Sequence, residues 1–133
     1  MVWTYHQYSG DLYHNDKLVY RGGYSGKGIH KNNPGSESIR GKGPIPRGRY
    51  TIGRYTSSKG PMTIILEPCD CNNMYGRDLF RIHGDSTENP GQASEGCIIV
   101  GPHARREIIS SVDRELVVEQ YEKFNFICND IYS

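Results

Sequence analysis

Residues 80–100 read Phe80-Arg81-Ile82-His83-Gly84-Asp85-Ser86-Thr87-Glu88-Asn89-Pro90-Gly91-Gln92-Ala93-Ser94-Glu95-Gly96-Cys97-Ile98-Ile99-Val100. An apolar run ends on a histidine, a polar loop rich in turn formers follows, and a cysteine behind Ser94-Glu95-Gly96 opens a second apolar run. Both runs have the length and β-branched content of buried strands, which puts His83 and Cys97 at the mouths of two strands. If those strands are neighbours, the loop turns the chain so that imidazole and thiol face one another across a cleft, within the reach nucleophilic catalysis needs. Gly96 lacks a Cβ, so a substrate carbonyl can come close, and the N–H groups of Gly96 and Cys97 can point at a developing oxyanion. A lone cysteine ahead of a buried strand is ordinarily a small core residue, and a lone histidine a surface or structural one. Here the small residues beside the thiol, the polar loop back to a histidine, and the anchors Ile82 and Ile98 together favour catalysis.

Working outward, Arg49–Gly53, Met62–Leu66 and Leu79–His83 read as successive core strands, and residues 2–8, 11–14 and 17–21 as an opening meander turning at Ser9-Gly10 and Asn15-Asp16. Between them, Gly22 to Gly48 holds eight glycines and three prolines with no apolar period. A loop of that length in a compact domain is usually functional, and a lid over the cleft is expected here. Its Lys27, His30, Lys31, Arg40, Lys42 and Arg47 make it basic. Past the cysteine, Pro102 suits the first turn of a helix over 103–112, with Ala104, Ile108, Ile109 and Val112 as its apolar stripe. Residues 115–121 form a last strand, and the tail 122–133 carries Phe124, Phe126 and Ile127, which suit docking on the same domain. The ten tyrosines and regular turn signals make the chain mainly β, one domain with one short helix and a long glycine-rich loop.

The chain has 133 residues, and 16 Lys+Arg against 15 Asp+Glu leave a net charge of +1, so no bulk field argues for a nucleic-acid partner. No apolar run has the length for membrane insertion. The opening Met1-Val2-Trp3-Thr4-Tyr5-His6 lacks the basic start and apolar core of a signal peptide, so synthesis in the cytoplasm without such a signal is expected. His6, His14, His30 and His103 lack ligand spacing, and Cys69-Asp70-Cys71 is spaced too tightly for a zinc knuckle; neither a metal nor a cofactor is expected. Cys69, Cys71 and Cys128 are read as structural or incidental, with a disulfide among them left open.

Two blocks, His83-Gly84 followed by Ser94-Glu95-Gly96-Cys97, and the strand entry Gly43-Pro44-Ile45-Pro46-Arg47-Gly48-Arg49-Tyr50-Thr51-Ile52, resemble the L,D-transpeptidase catalytic domain. The resemblance is closer to the small type VI secretion effector branch. It extends to Trp3-Thr4-Tyr5, Gly23-Tyr24-Ser25-Gly26, Asn32-Asn33-Pro34, Gly76-Arg77 with Phe80 to Asp85, and Ala93 to Ile98. It covers roughly residues 2–120 and implies a β-sandwich or barrel.

The resemblance implies an enzyme that acylates Cys97 with the third residue of a peptidoglycan tetrapeptide stem and expels the terminal D-Ala. Water as acceptor gives carboxypeptidase action, a free D-amino acid gives exchange, and another stem gives a 3–3 crosslink. By this likeness Cys97 is the nucleophile, His83 the base and Gly96 an oxyanion donor, with Ser94 shaping the turn. Gly84, Asp85, Tyr24 and Arg106 fall on the substrate side. Glu95 and Ile99 stand where the wall-building enzymes often carry His and Arg; Arg106 or Arg105 is expected to restore the lost charge. A secreted toxin acting in a target periplasm is implied, with the secretion apparatus and a cognate immunity protein as partners. A noncatalytic wall-binding module is the competing reading. A papain-like or amidase-type peptidase is disfavoured because those place Cys before His in the chain.

Overall fold

A computed structural model describes residues 1–121. Nine strands form one curled sheet: β1 Trp3–His6, β2 Leu12–His14, β3 Lys17–Tyr20, β4 Tyr24–Ser25, β5 Gly48–Thr56, β6 Thr63–Pro68, β7 Arg81–His83, β8 Ile98–Ile99 and β9 Glu115–Glu119. Their order is β3-β2-β1-β9-β5-β6-β7-β8-β4. The opening meander is the one read from the sequence, and Asn15 and Asp16, at φ of 50° and 67°, supply the double left-handed turn that joins β2 to β3. β9 closes the middle, parallel to β1 and antiparallel to β5. At the functional end β6 runs antiparallel to β7, and β7 runs parallel to β8.

The concave side is filled by Trp3, Tyr5, Leu12, Tyr50, Ile64, Ile82, Ile98 and Leu116, each almost wholly buried, and covered by the helix α1, Pro102–Ser110. Pro102 occupies the first turn, and Ala104 and Ile108 face the core. The expected stripe is one residue too long. Ser111 is extended and its hydroxyl accepts from Asp113 N–H at 3.0 Å, a turn that leaves Val112 91% exposed beyond the helix. The strand expected from Leu79 starts later as well, at Arg81, because Leu79 is left-handed (φ 63°) and 75% exposed.

Residues 22–48 contain β4, two short 3₁₀ turns at Gly28–His30 and Pro34–Ser36, and a set of buried polar groups. Glu37, 5% exposed, accepts from Gln7 Nε2 and Arg47 N–H at 3.0 Å each and from Tyr75 Oη at 3.2 Å. Cys69 and Cys71 form a disulfide, and Cys97 is the free cysteine among the described residues. The docking expected of Phe124, Phe126 and Ile127, and the pairing of Cys128, lie outside the described residues.

Candidate active site

The parallel pairing sets Ile82 beside Ile98 and His83 beside Ile99. Ile82 and Ile98 are both fully buried on the core face, so the alternation of a strand turns Arg81 and His83, together with Cys97, to the other face. There His83 and Cys97 line one cleft of about 400 Å³. The register sets Arg81, not His83, opposite Cys97, and among the described residues no hydrogen bond joins His83 to the thiol; what the two share is the cleft.

His83 is buried, and its Nδ1 lies 2.9 Å from the Gly84 carbonyl. A carbonyl only accepts, so Nδ1 carries the hydrogen and Nε2 is left with its lone pair. Burial lowers the His83 pKa, the Gly84 bond works against this, and the charges of Lys59, Arg81 and Arg105 push further down. The imidazole therefore stands neutral and ready to accept a proton. The thiol of Cys97 lies 4.0 Å from the Leu79 carbonyl, which the left-handed Leu79 turns toward it.

Ser94, 1% exposed, organises the turn before the thiol. Its Oγ donates to the Cys97 carbonyl at 2.6 Å and accepts from Gly26 N–H at 2.9 Å and Gly96 N–H at 3.0 Å. The Gly96 N–H is thereby engaged, which corrects the expectation of two free oxyanion donors; of the pair, the Cys97 N–H is the one Ser94 leaves available. Gly96 is indispensable for another reason. It sits at φ 142°, and a Cβ there would come within 2.6 Å of Arg77 Nη2 and 2.8 Å of Phe80.

One cation near the thiol is Arg77. Its guanidinium, itself buried, donates to the carbonyls of Glu37 (2.6 Å), Pro44 (2.8 Å), Gly43 (2.9 Å) and Glu95 (3.2 Å). Arg106 is not brought to the cleft; it lines a separate groove with Trp3, His14 and His103 on the far side of α1. Arg105 is the helix arginine that points inward. It donates to Val100 O at 3.1 Å and Pro61 O at 2.7 Å, and it passes so close behind Gly84 that a Cβ would lie 2.7 Å from its Nη2.

Tyr24, Gly84 and Asp85 line a neighbouring groove rather than the Cys97 cleft. Asp85 Oδ1 accepts from Tyr24 Oη at 2.6 Å, Ser86 N–H at 2.8 Å and Gly91 N–H at 3.1 Å. What burial Asp85 has raises its pKa, but those three donors and Lys31 outweigh that and hold the carboxyl below its usual range. Tyr24 is pushed up to about 12 by burial and by that carboxylate. Lys59 and Arg81 also line the Cys97 cleft, and the sequence reading missed both. Arg81 was findable, since it stands two residues before His83 in a strand and shares its face; Lys59, in a turn, carries no such signal.

Strand alternation, a neutral imidazole and a cleft rimmed with cations define a mainly β domain carrying a thiol and an imidazole in one open cleft. Residues 20–120 match the Tlde1 domain, and the chain belongs to that family of type VI secretion effectors with L,D-transpeptidase-like activity. No curated protein and no solved structure matches the chain. Membership implies secretion, and no helix among the described residues is long and apolar enough to cross a membrane.

Proposed function

We propose that this domain is a cysteine-dependent L,D-carboxypeptidase and D-amino-acid exchange enzyme acting on peptidoglycan tetrapeptide stems, and that it serves as an antibacterial toxin in the target periplasm. The observation that carries the reading is the placement of His83 and Cys97 on one face of the β7–β8 pair, in one cleft. His83 Nε2 takes the thiol proton as Sγ attacks the carbonyl carbon of the third stem residue. The S–C bond forms, the Cys97 N–H supports the oxyanion, and the C–N bond to D-Ala breaks as His83 returns the proton to the leaving amine. Water or a free D-amino acid, deprotonated by His83, then attacks the thioester and releases Sγ. Ser94 holds the turn that presents the thiol, and Arg77 fixes the wall behind it. Within residues 22–48 the exposed Lys27–Ile29 stretch, whose Lys27 lines the cleft, is the part suited to a lid. A cognate immunity protein that plugs this cleft is the partner the toxin role requires.

Mass spectrometry of purified muropeptides, with and without D-methionine, tests the reading. Wild type should convert tetrapeptides to tripeptides or D-methionine adducts, and Cys97→Ala should lower either product roughly 10³-fold or more. Equal conversion by folded Cys97→Ala, or none by reduced wild type, rejects it; binding of stems without turnover would favour a wall-binding module.

A further inference from the structure

The cations around the cleft fall into two kinds. Arg77 and Arg105 are spent on backbone carbonyls, as described above. Lys59 and Arg81 are not: among the described residues neither side chain makes an ion pair or hydrogen bond, and Arg81 Nε is shut away from water without an acceptor. The acidic residues of the same cleft, Asp78 and Glu95, do not pair with them. A guanidinium that lines an open cleft without a partner has its Nη donors free for a ligand oxygen, and its planar fork suits a carboxylate. Arg81 lies on the same face as His83, two residues away, and next to Cys97 across the strand pair.

The chemistry of acyl transfer says which carboxylate would arrive there. His83 protonates the leaving amine, and in a terminal amino acid the carboxylate is two bonds from that nitrogen. A cation adjoining His83 therefore meets the C-terminus of the leaving residue. We propose that Lys59 and Arg81 form a carboxylate anchor that reads the free C-terminus of the departing D-amino acid, restricting the site to stems that end one residue beyond the scissile bond. The proposal rests on the acyl-transfer reading above and adds its substrate selectivity.

The test compares a tetrapeptide stem ending in a free carboxylate with the same stem ending in a carboxamide. Wild type should favour the acid by about 10- to 100-fold in kcat/KM, the range expected for losing charge-assisted hydrogen bonds. The ratio should collapse toward one in the Arg81→Gln/Lys59→Gln double variant, and Arg81→Lys should retain part of it. Equal rates on both stems for wild type, or the same loss on both stems in the variants, overturns the anchor. If neither stem gives Cys97-dependent product, the acyl-transfer reading fails, and calorimetry on Cys97→Ala decides the anchor separately. Tighter binding of the acid, abolished by adding Arg81→Gln and Lys59→Gln, supports it; equal binding of acid and amide overturns it.

Discussion

Two irregular segments frame the Cys97 cleft and are held in opposite ways. Gly22–Gly48 is pinned from within by buried polar groups: Ser25 Oγ donates to Gly96 O at 2.7 Å and accepts from Ile45 N–H at 2.8 Å, Glu37 gathers three partners, and Arg77 reaches in to carbonyls on both sides. Asp85–Glu95 is tied at its ends, by Asp85 and Ser94, and residues 87–90 between them are exposed. The difference shows what makes chain without regular structure rigid. A hydrogen bond sealed from water leaves an orphan when it breaks, whereas an exposed one is replaced by solvent at little cost.

The sharpest way to break that comparison is Arg77→Met. It orphans four carbonyls, those of Glu37, Gly43, Pro44 and Glu95, and should cost about 3–5 kcal/mol in urea denaturation. Arg77→Lys should recover only part, because an ammonium cannot span the same fork. Asp85→Asn is the matching change in the other segment. Its carboxylate is exposed, so about 1 kcal/mol or less is expected in the same measurement, along with a looser 85–91 loop seen by faster amide exchange at Ser86 and Gly91. Equal losses from the two substitutions would mean that burial is not what separates the segments.

The same contrast explains what the sequence could disclose. Strand alternation and turn residues are local, so the meander, the core strands and the shared face of His83 and Cys97 were readable from one line of text. Arg77 appeared only as part of a Gly76-Arg77 motif, because its carbonyl partners lie 18 to 40 residues away and no period marks them. The Gly96 N–H was expected to be free because the bond that Ser94 makes to it depends on a φ of 142°, which glycine permits but does not announce. Arg106 was weighed equally with Arg105 for a related reason: consecutive helix residues differ in azimuth by about 100°, and only the packed helix shows which one meets the core.

The smallest effect expected is electrostatic, and it compares a pinned cation with a free one. His83 has its pKa lowered by burial and then by Lys59, Arg81 and Arg105, so the acid limb of kcat/KM should fall below the ordinary histidine value of 6.5. Lys59→Gln removes one of the charges that disfavour the imidazolium, so it should move that limb upward. Lys59 is exposed, and 0.5 M salt should erase much of the difference between wild type and variant. The influence of the buried Arg105 should survive the same salt. Stability follows the same sign: below 6.5 the unfolded chain binds a proton that folded His83 refuses, so unfolding free energy should decline as pH drops toward the lowered folded value. An acid limb at or above the ordinary value, or a downward move in Lys59→Gln, would show that His83 does not feel these cations as the geometry requires.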